Sequence, residues 1–398
     1  MAGLSAAFGA RKAGHEVTIV SALPGASALA GGAVDDRPWE DLVRSGRLLG
    51  AQPAATALGE DVADLIAAFS LWSVPARDRV QLATLGGRVR PARGCDRALL
   101  DLGGLHDTTV ILPRAPRAAW DADALAAAFS ADASCRARGL RFRAVDAPVL
   151  RFDDERRVGD LDLAARHDDP ARLGWLGARL REARSEGVGA VLLGPWLGAR
   201  EPRAAALSEI AGVPAGEALS GVGSAAGLRF EAARNRLLDE LGAQRLDARV
   251  MRLVPGARAI SAELDRDLAP IEAEAAVLAV GGLTGGGLVY APPEHGAGAD
   301  LPKGSRAPFR LSLDAPVRLS LSGDRHLDAV SSFHGPNLDE SAWPSPTEPG
   351  VLETVGVLSD GPQAAPRIFV AGEVMAARPR TVLEAVASGL AAARAAFG

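Results

Sequence analysis

Cysteine, lysine and tyrosine are scarce in this 398-residue chain, and each scarcity excludes something. Cys95 and Cys135 are the two cysteines, far apart and without CxxC spacing, so neither an iron–sulfur cluster nor a cysteine-based zinc site can be assembled from them. A reducing cytoplasm is the expected compartment. Lys12 and Lys303 are the only lysines among 44 basic residues, an arginine bias that reads as codon usage and carries no function. The formal charge is −5, so the clustered basic face of a nucleic-acid binder has no support. No membrane-spanning run is expected either. The longest charge-free stretch, Ala275 to Pro293, holds five glycines and two prolines and reads as a strand followed by a glycine loop. The opening Met1-Ala2-Gly3-Leu4-Ser5 has no basic region ahead of an apolar core, so no secretory signal is expected. P-loop, HExxH and GxSxG patterns are missing, which removes the main support for kinase, zinc-protease and α/β-hydrolase readings.

What is present is an alternation of helical and strand patterns. Ala2 to Ala13 reads as a helix stopping at Gly14, and His15 to Val20 as a strand entering a parallel sheet. Helix, glycine, strand is the second half of a βαβ unit. Met1-Ala2-Gly3-Leu4-Ser5-Ala6-Ala7 matches the inside of a dinucleotide-binding fingerprint with Gly3 as its last glycine; the first strand and two earlier glycines would lie ahead of Met1. Either the start is internal, or the phosphate-binding half is lost. Ser21 stands where an acidic residue would hold the ribose. Ser27 to Asp35 is a small-residue loop in which Gly31 and Gly32 let backbone approach a flat ligand, or form a plain surface loop.

Further along, Val62 to Phe69 has helical spacing and Arg79 to Arg93 is β-like around Gly86-Gly87. Strands at 108–112, 140–145 and 189–193 alternate with helices at 121–129 and 170–186, implying a parallel, helix-covered sheet. Asp168 or Asp169 is the expected N-cap, with Pro170 at the first helical position. The loop from Gly216 to Gly227 feeds a helix. Ile271 to Val280 reads as one strand ending in Gly281-Gly282, Arg367 to Glu373 as the last strand, and Thr381 to Phe397 as the closing helix. The expected central sheet joins 16–20, 277–280 and 368–370, with Gly3, Gly31, Gly32, Gly282 and Gly372 along one cleft and an unfilled slot beside 16–20.

These segments, in this order, resemble the skeleton of two-dinucleotide-binding-domain flavoproteins. More particularly, Ser27 to Asp35, Asp162-Leu163-Ala164-Ala165-Arg166 before a Trp-containing helix, Gly227-Leu228-Arg229 and Val277 to Val289 resemble the B-type flavoprotein component of anaerobic glycerol-3-phosphate dehydrogenase. The likeness runs from residue 2 to about 395. The chain departs from that family at its start, at Gly221-Val222-Gly223-Ser224, at Arg380 to Glu384 and over 291–350.

The resemblance implies a Rossmann-like α/β flavoprotein fold with residues 1–50 and 261–398 forming the flavin-binding domain and 51–260 an inserted α/β substrate or capping region. It implies FAD or FMN held by Gly3, Ser27, Gly31, Gly32, Asp35, Gly281, Gly282, Gly372 and Glu373. The reaction implied is oxidation of glycerol 3-phosphate to dihydroxyacetone phosphate, with electrons passed toward quinone. Such an oxidation needs a base for the hydroxyl proton and a cationic clamp for the phosphate. Among six histidines, His295 and His334 sit in Gly/Pro-containing loops, and the Ser332 to Pro336 segment makes His334 the preferred base. His167 beside Asp168 and Asp169 reads as part of a helix start. Arg88, Arg90, Arg93 and Arg229 are available as clamps, and Arg229, at a helix start after a glycine loop, is the one preferred. The implied partners are a second flavoprotein subunit and an iron–sulfur membrane-anchor subunit, with this chain cytoplasmic or peripheral on the inner membrane face. A degenerate, non-catalytic subunit serving protein–protein assembly is the alternative.

Overall fold

A computed structural model of the protein describes residues 1–22, 25–29, 31–37, 57–76, 78–291, 310–322 and 355–398. The elements that matter below are, in chain order, helix α1 (Ala2–Lys12), β1 (Thr18–Val20), β2 (Thr109–Pro113), α2 (Ala122–Ala131), β3 (Arg141–Val145), α3 (Pro170–Ala183), β4 (Val188–Leu193), α4 (Ala204–Ala211), β5 (Ala215–Glu217), α5 (Ala225–Glu240), β6 (Gln244–Leu246), β7 (Ala276–Leu278), β8 (Ile368–Val370) and α6 (Val382–Phe397). The chain divides into two compact units. One comprises Met1–Ala26, Asp36–Arg44 and Leu238–Gly398, the other Ser27–Asp35 and Ser45–Leu237. No helix among the described residues is long and apolar enough to cross a membrane.

The second unit is built on a four-stranded sheet ordered β5-β4-β2-β3, with every neighbouring pair parallel. Mixed α/β architecture with a parallel sheet is therefore the fold class, as the alternating pattern implied. Val110, Ile111 and Leu112 on β2 and Val191, Leu192 and Leu193 on β4 are wholly buried, the signature of central strands covered on both faces. Each such side chain contributes about 1.5–3 kcal/mol through burial. Trp120 ties the carboxyl end of β2 to this core: its indole N–H donates to the Pro113 carbonyl at 2.7 Å, and its ring meets Trp196 edge-on at 5.5 Å. The start of α3 matches the sequence expectation, with Asp169 accepting from the Ala171 amide and Pro170 at the first helical position. Residues 80–83 and 89–92 form an antiparallel hairpin where a β-like stretch was expected.

In the first unit, β7 and β8 run parallel, in register from Ala276–Ile368 to Leu278–Val370, and 363–365 adds an antiparallel strand outside β8. Strand β1 instead pairs in parallel with β6. The expected continuous sheet through 16–20, 277–280 and 368–370 is therefore corrected: β1 makes no ladder with β7 or β8. A second correction concerns Ile271 to Val280, which is two strands. Residues 271–273 join an antiparallel sheet with 250–255 and 260–264, and the chain then passes through Glu274-Ala275 into β7. Alternation of apolar residues cannot reveal a strand that changes partner halfway. Helix α1 lies along α6 through small residues: a Cβ placed at Gly9 would stand 2.9 Å from the Ala393 Cβ, and one at Gly389 would meet the Ala2 carbonyl.

His167 closes the short helix at 160–166 and is fully buried in the second unit. Its Nδ1 stands 2.6 Å from the Trp196 carbonyl, which can only accept, so Nδ1 carries the proton. Nε2 has no hydrogen-bond partner among the described residues. Burial pushes this imidazole down to about 4 from an ordinary 6.5. The unfolded chain therefore takes up a proton that the folded chain refuses as pH falls from 6.5 to about 4, and stability falls with it; above 6.5 the ring is neutral in both states. Across that window the wild type should lose about 3 kcal/mol more than His167→Asn, which keeps an N–H donor but no titrating ring. Urea unfolding as a function of pH measures the difference, and parallel curves for the two proteins would contradict it.

Candidate functional site

Within the first unit, several expected positions converge where β7 and β8 end. Ligands of parallel α/β sheets bind outside the carboxyl ends of strands, where helix amino ends also point. Helix α1 begins there. A Cβ at Gly3 would lie 3.4 Å from the Ala279 Cβ, just past the end of β7. Gly372, just past the end of β8, has φ +82°, and a Cβ there would come within 2.8 Å of the Ala2 Cβ. A side chain at this position would thus be strained by its backbone and would push α1 off the strand ends. Gly281 and Gly282 pack beside them, the latter against Glu373 and the Arg380 guanidinium. Gly3, Gly281, Gly282, Gly372 and Glu373 are therefore brought together.

The amide hydrogens of Ala2, Gly3 and Leu4 have no acceptor among the described residues, and Met1 provides no side-chain cap. The positive end of an eleven-residue helix is thus presented at the strand ends with three donors unused. Two contributors escaped the sequence reading. Ser388, buried on α6, accepts from the Gly372 amide at 2.9 Å while donating to the Glu384 carbonyl at 2.7 Å. Arg380 donates to the Glu373 and Val355 carbonyls at 2.7 and 2.6 Å and so fixes the turn after β8. The signal for Ser388 was the small Ser-Gly pair in the Ala/Val/Leu-rich middle of the helix.

Ser27, Gly31, Gly32, Asp35 and Arg229 belong to the second unit. Ser27 lies in a short 3₁₀ turn at 26–29. Gly31 passes so close to the Ser220 carbonyl that any Cβ would collide with it, and Gly32, at φ +104°, sits against Asp96 and Leu99. The tight approach of this loop is thus to protein backbone. Asp35 forms an ion pair with Arg90 at 2.5 Å. His334 and His295 lie outside the described residues.

Arg229 departs most from expectation. It is fully buried on α5, donating from Nε to Asp96 at 2.7 Å, from Nη2 to Glu217 at 2.7 Å and from Nη1 to the Gly198 carbonyl at 2.6 Å. The Leu197 amide donates to the other Glu217 oxygen, and the Ala98 amide to the other Asp96 oxygen at 2.8 Å. Burial acts to lower the Arg229 pKa, but the charges of Glu217 and Asp96 outweigh it and hold the guanidinium cationic. With every nitrogen engaged and no part of the side chain exposed, no donor is left for a substrate phosphate; the clamp role expected of Arg229 is corrected to a structural one. An acidic residue closing an apolar strand, as Glu217 does on β5, was the visible hint of a buried cationic partner.

Cys95 lies beside this cluster. Burial, then Asp101 and Asp96, pushes its thiol well above the ordinary range, and burial pushes Cys135 up to about 11. Neither supplies a thiolate near neutral pH. Among the described residues no group of His, Cys, Asp and Glu side chains is placed to hold a metal ion. No family model and no curated protein matches this chain.

Arg229→Met should cost about 3–5 kcal/mol, because it strands two buried carboxylates. Adding Asp96→Asn and Glu217→Gln, which remove the charges but keep acceptors for the Ala98 and Leu197 amides, should recover more than half. Denaturant midpoints of the single and triple variants decide this. A single variant as stable as wild type would show that the cluster carries no such weight.

Proposed function

We propose that the chain is a flavin-binding oxidoreductase subunit, of the glycerol-3-phosphate dehydrogenase kind that its sequence resembles. The observation that carries the reading is the uncapped start of α1, set against Gly281-Gly282 and Gly372-Glu373 at the carboxyl ends of β7 and β8. Those residues fit a phosphate-bearing flavin: three unused amides and a helix dipole suit the phosphate, and glycines at the strand ends leave no side chains to obstruct a flat group. The Rossmann-like character belongs to this proposal.

In this reading FAD or FMN supplies the ring that accepts hydride from the substrate carbinol. The chain's own contribution is positional. The amides of Ala2, Gly3 and Leu4 would hold the cofactor phosphate. Arg380, through the Glu373 and Val355 carbonyls, keeps the turn after β8 in place. Ser388 anchors the Gly372 amide. His334 is the proposed base for the substrate hydroxyl proton. Arg229 positions the turn at 197–198 through two carbonyls and has no contact with substrate. A second flavoprotein subunit and an iron–sulfur subunit at the inner membrane face would be the partners that take up the electrons a bound flavin supplies.

Purified full-length protein should carry flavin visible in its absorption spectrum. Gly3→Asp should bring flavin content below a tenth of wild type, since a carboxylate at the helix start repels phosphate while favouring the helix itself. An unchanged melting temperature would place the loss at the cofactor. Dye-linked glycerol 3-phosphate oxidation by the co-purified complex should fall with it. A colourless wild-type protein, or a complex whose activity does not change when this chain is omitted, would favour the non-catalytic assembly role.

A further inference from the structure

The carboxyl ends of β1 and β6 bring together two residues that are far apart in sequence. The strands pair in parallel with Val20 opposite Leu246, and the Ser21 amide donates to the Leu246 carbonyl, so the ladder runs one step further and sets Ser21 beside Asp247. Register partners on neighbouring strands present their side chains on the same face, about 4.8 Å apart. Ser21 stands where a nucleotide-binding α/β unit carries the acid that holds a ribose. The neighbouring strand puts a carboxylate at that same place.

The backbone around Asp247 is fixed while its carboxylate faces solvent. Arg266 donates to the Asp247 carbonyl at 3.3 Å. Two residues on, the Arg249 amide donates to the Asp265 carboxylate and the Asp265 amide donates to the Arg249 carbonyl, both at 2.9 Å. The Asp247 side chain remains 80% exposed, and its ion pair with Arg266 is 3.9 Å long. An exposed pair of that length is weak, so a ligand hydroxyl can compete for the carboxylate.

Helix α1 relates this strand end to the phosphate-facing helix start. It stops in a glycine turn: Gly14 has φ +88°, its amide donates to the Arg11 carbonyl, and the His15 amide donates to the Ala10 carbonyl. Arg11 donates to the His15 and Leu241 carbonyls, which places the end of α1 at the amino ends of both strands. In a layered α/β unit a helix joined to a strand by so short a turn runs antiparallel to it. The carboxyl ends of β1 and β6 therefore face the side on which α1 begins.

We propose that Asp247 holds the adenosine ribose of the cofactor, accepting hydrogen bonds from its 2′- and 3′-hydroxyls, so that the site takes the adenine dinucleotide FAD in preference to FMN. The proposal rests on the flavin reading above. FMN ends at its phosphate and has no adenosine to offer Asp247, and a ribose carrying a 2′-phosphate would be repelled by the carboxylate.

The test uses full-length protein stripped of flavin and titrated separately with FAD and FMN, with binding read by quenching of flavin fluorescence. Wild type should bind FAD at least tenfold more tightly than FMN. Asp247→Ala should weaken FAD by about tenfold to a hundredfold, the worth of one or two charge-assisted hydrogen bonds, with FMN affinity and the apoprotein's melting temperature unchanged. Adding Ser21→Glu returns an acid beside the lost one and should restore the preference for FAD. A wild type without that preference, or an Asp247→Ala protein in which FAD and FMN are both unaffected or weakened alike, would overturn the assignment and leave the flavin reading standing. A wild type that binds neither flavin would overturn that reading and this one with it.

Discussion

One guanidinium organises the second unit. Arg229 gathers Asp96, Glu217 and the turn at 197–198, groups from three separate segments of the chain, and every connection is made away from water. A buried charge is tolerated only when its partners satisfy it fully, so each of these segments must be in place before any is stable there. The glycine loop at 31–32 is held by the same arrangement, because the Asp96 amide donates to the Gly32 carbonyl at 2.7 Å. Specificity of arrangement, more than net stability, is what such a cluster contributes.

The first unit depends on a different constraint, the near contact of backbones. Gly9 against Ala393, Gly389 against the Ala2 carbonyl and Gly372 against Ala2 bring α1, α6 and the end of β8 together with almost no side chain between them. This closeness sets the start of α1 level with the strand ends, where its unused amides can meet an anion. Volume, not charge, is what the sequence controls here.

Segments whose pattern and burial agree were legible before the structure. The strands at 109–113 and 188–193 are apolar runs of the length that a covered parallel sheet needs, 141–145 alternates as an edge strand does, and Asp169-Pro170 is a helix start by local chemistry alone. Long-range choices were not legible. Nothing local tells Thr18 to Val20 to pair with Gln244 to Leu246, or tells 271–278 to divide between two sheets. At the candidate site, Gly3, Gly282 and Gly372 could be read because the lack of a side chain is visible in sequence. The fate of Arg229 could not, since 42 arginines look alike until one finds two carboxylates inside a core.

The packing of Trp120 on Trp196 has an optical consequence. Among the described residues every tryptophan, namely Trp72, Trp120, Trp175 and Trp196, falls in the second unit. Two of them form one edge-on pair with 5.5 Å between ring centres, sealed from solvent and locked by an indole hydrogen bond. Indole emission from these four positions therefore follows the second unit, while far-ultraviolet dichroism sums the peptides of both. Trp39 and Trp343 fall in segments of the first unit, so in a Trp39→Phe, Trp343→Phe protein a mismatch between the two signals during unfolding would separate the units in time without any label.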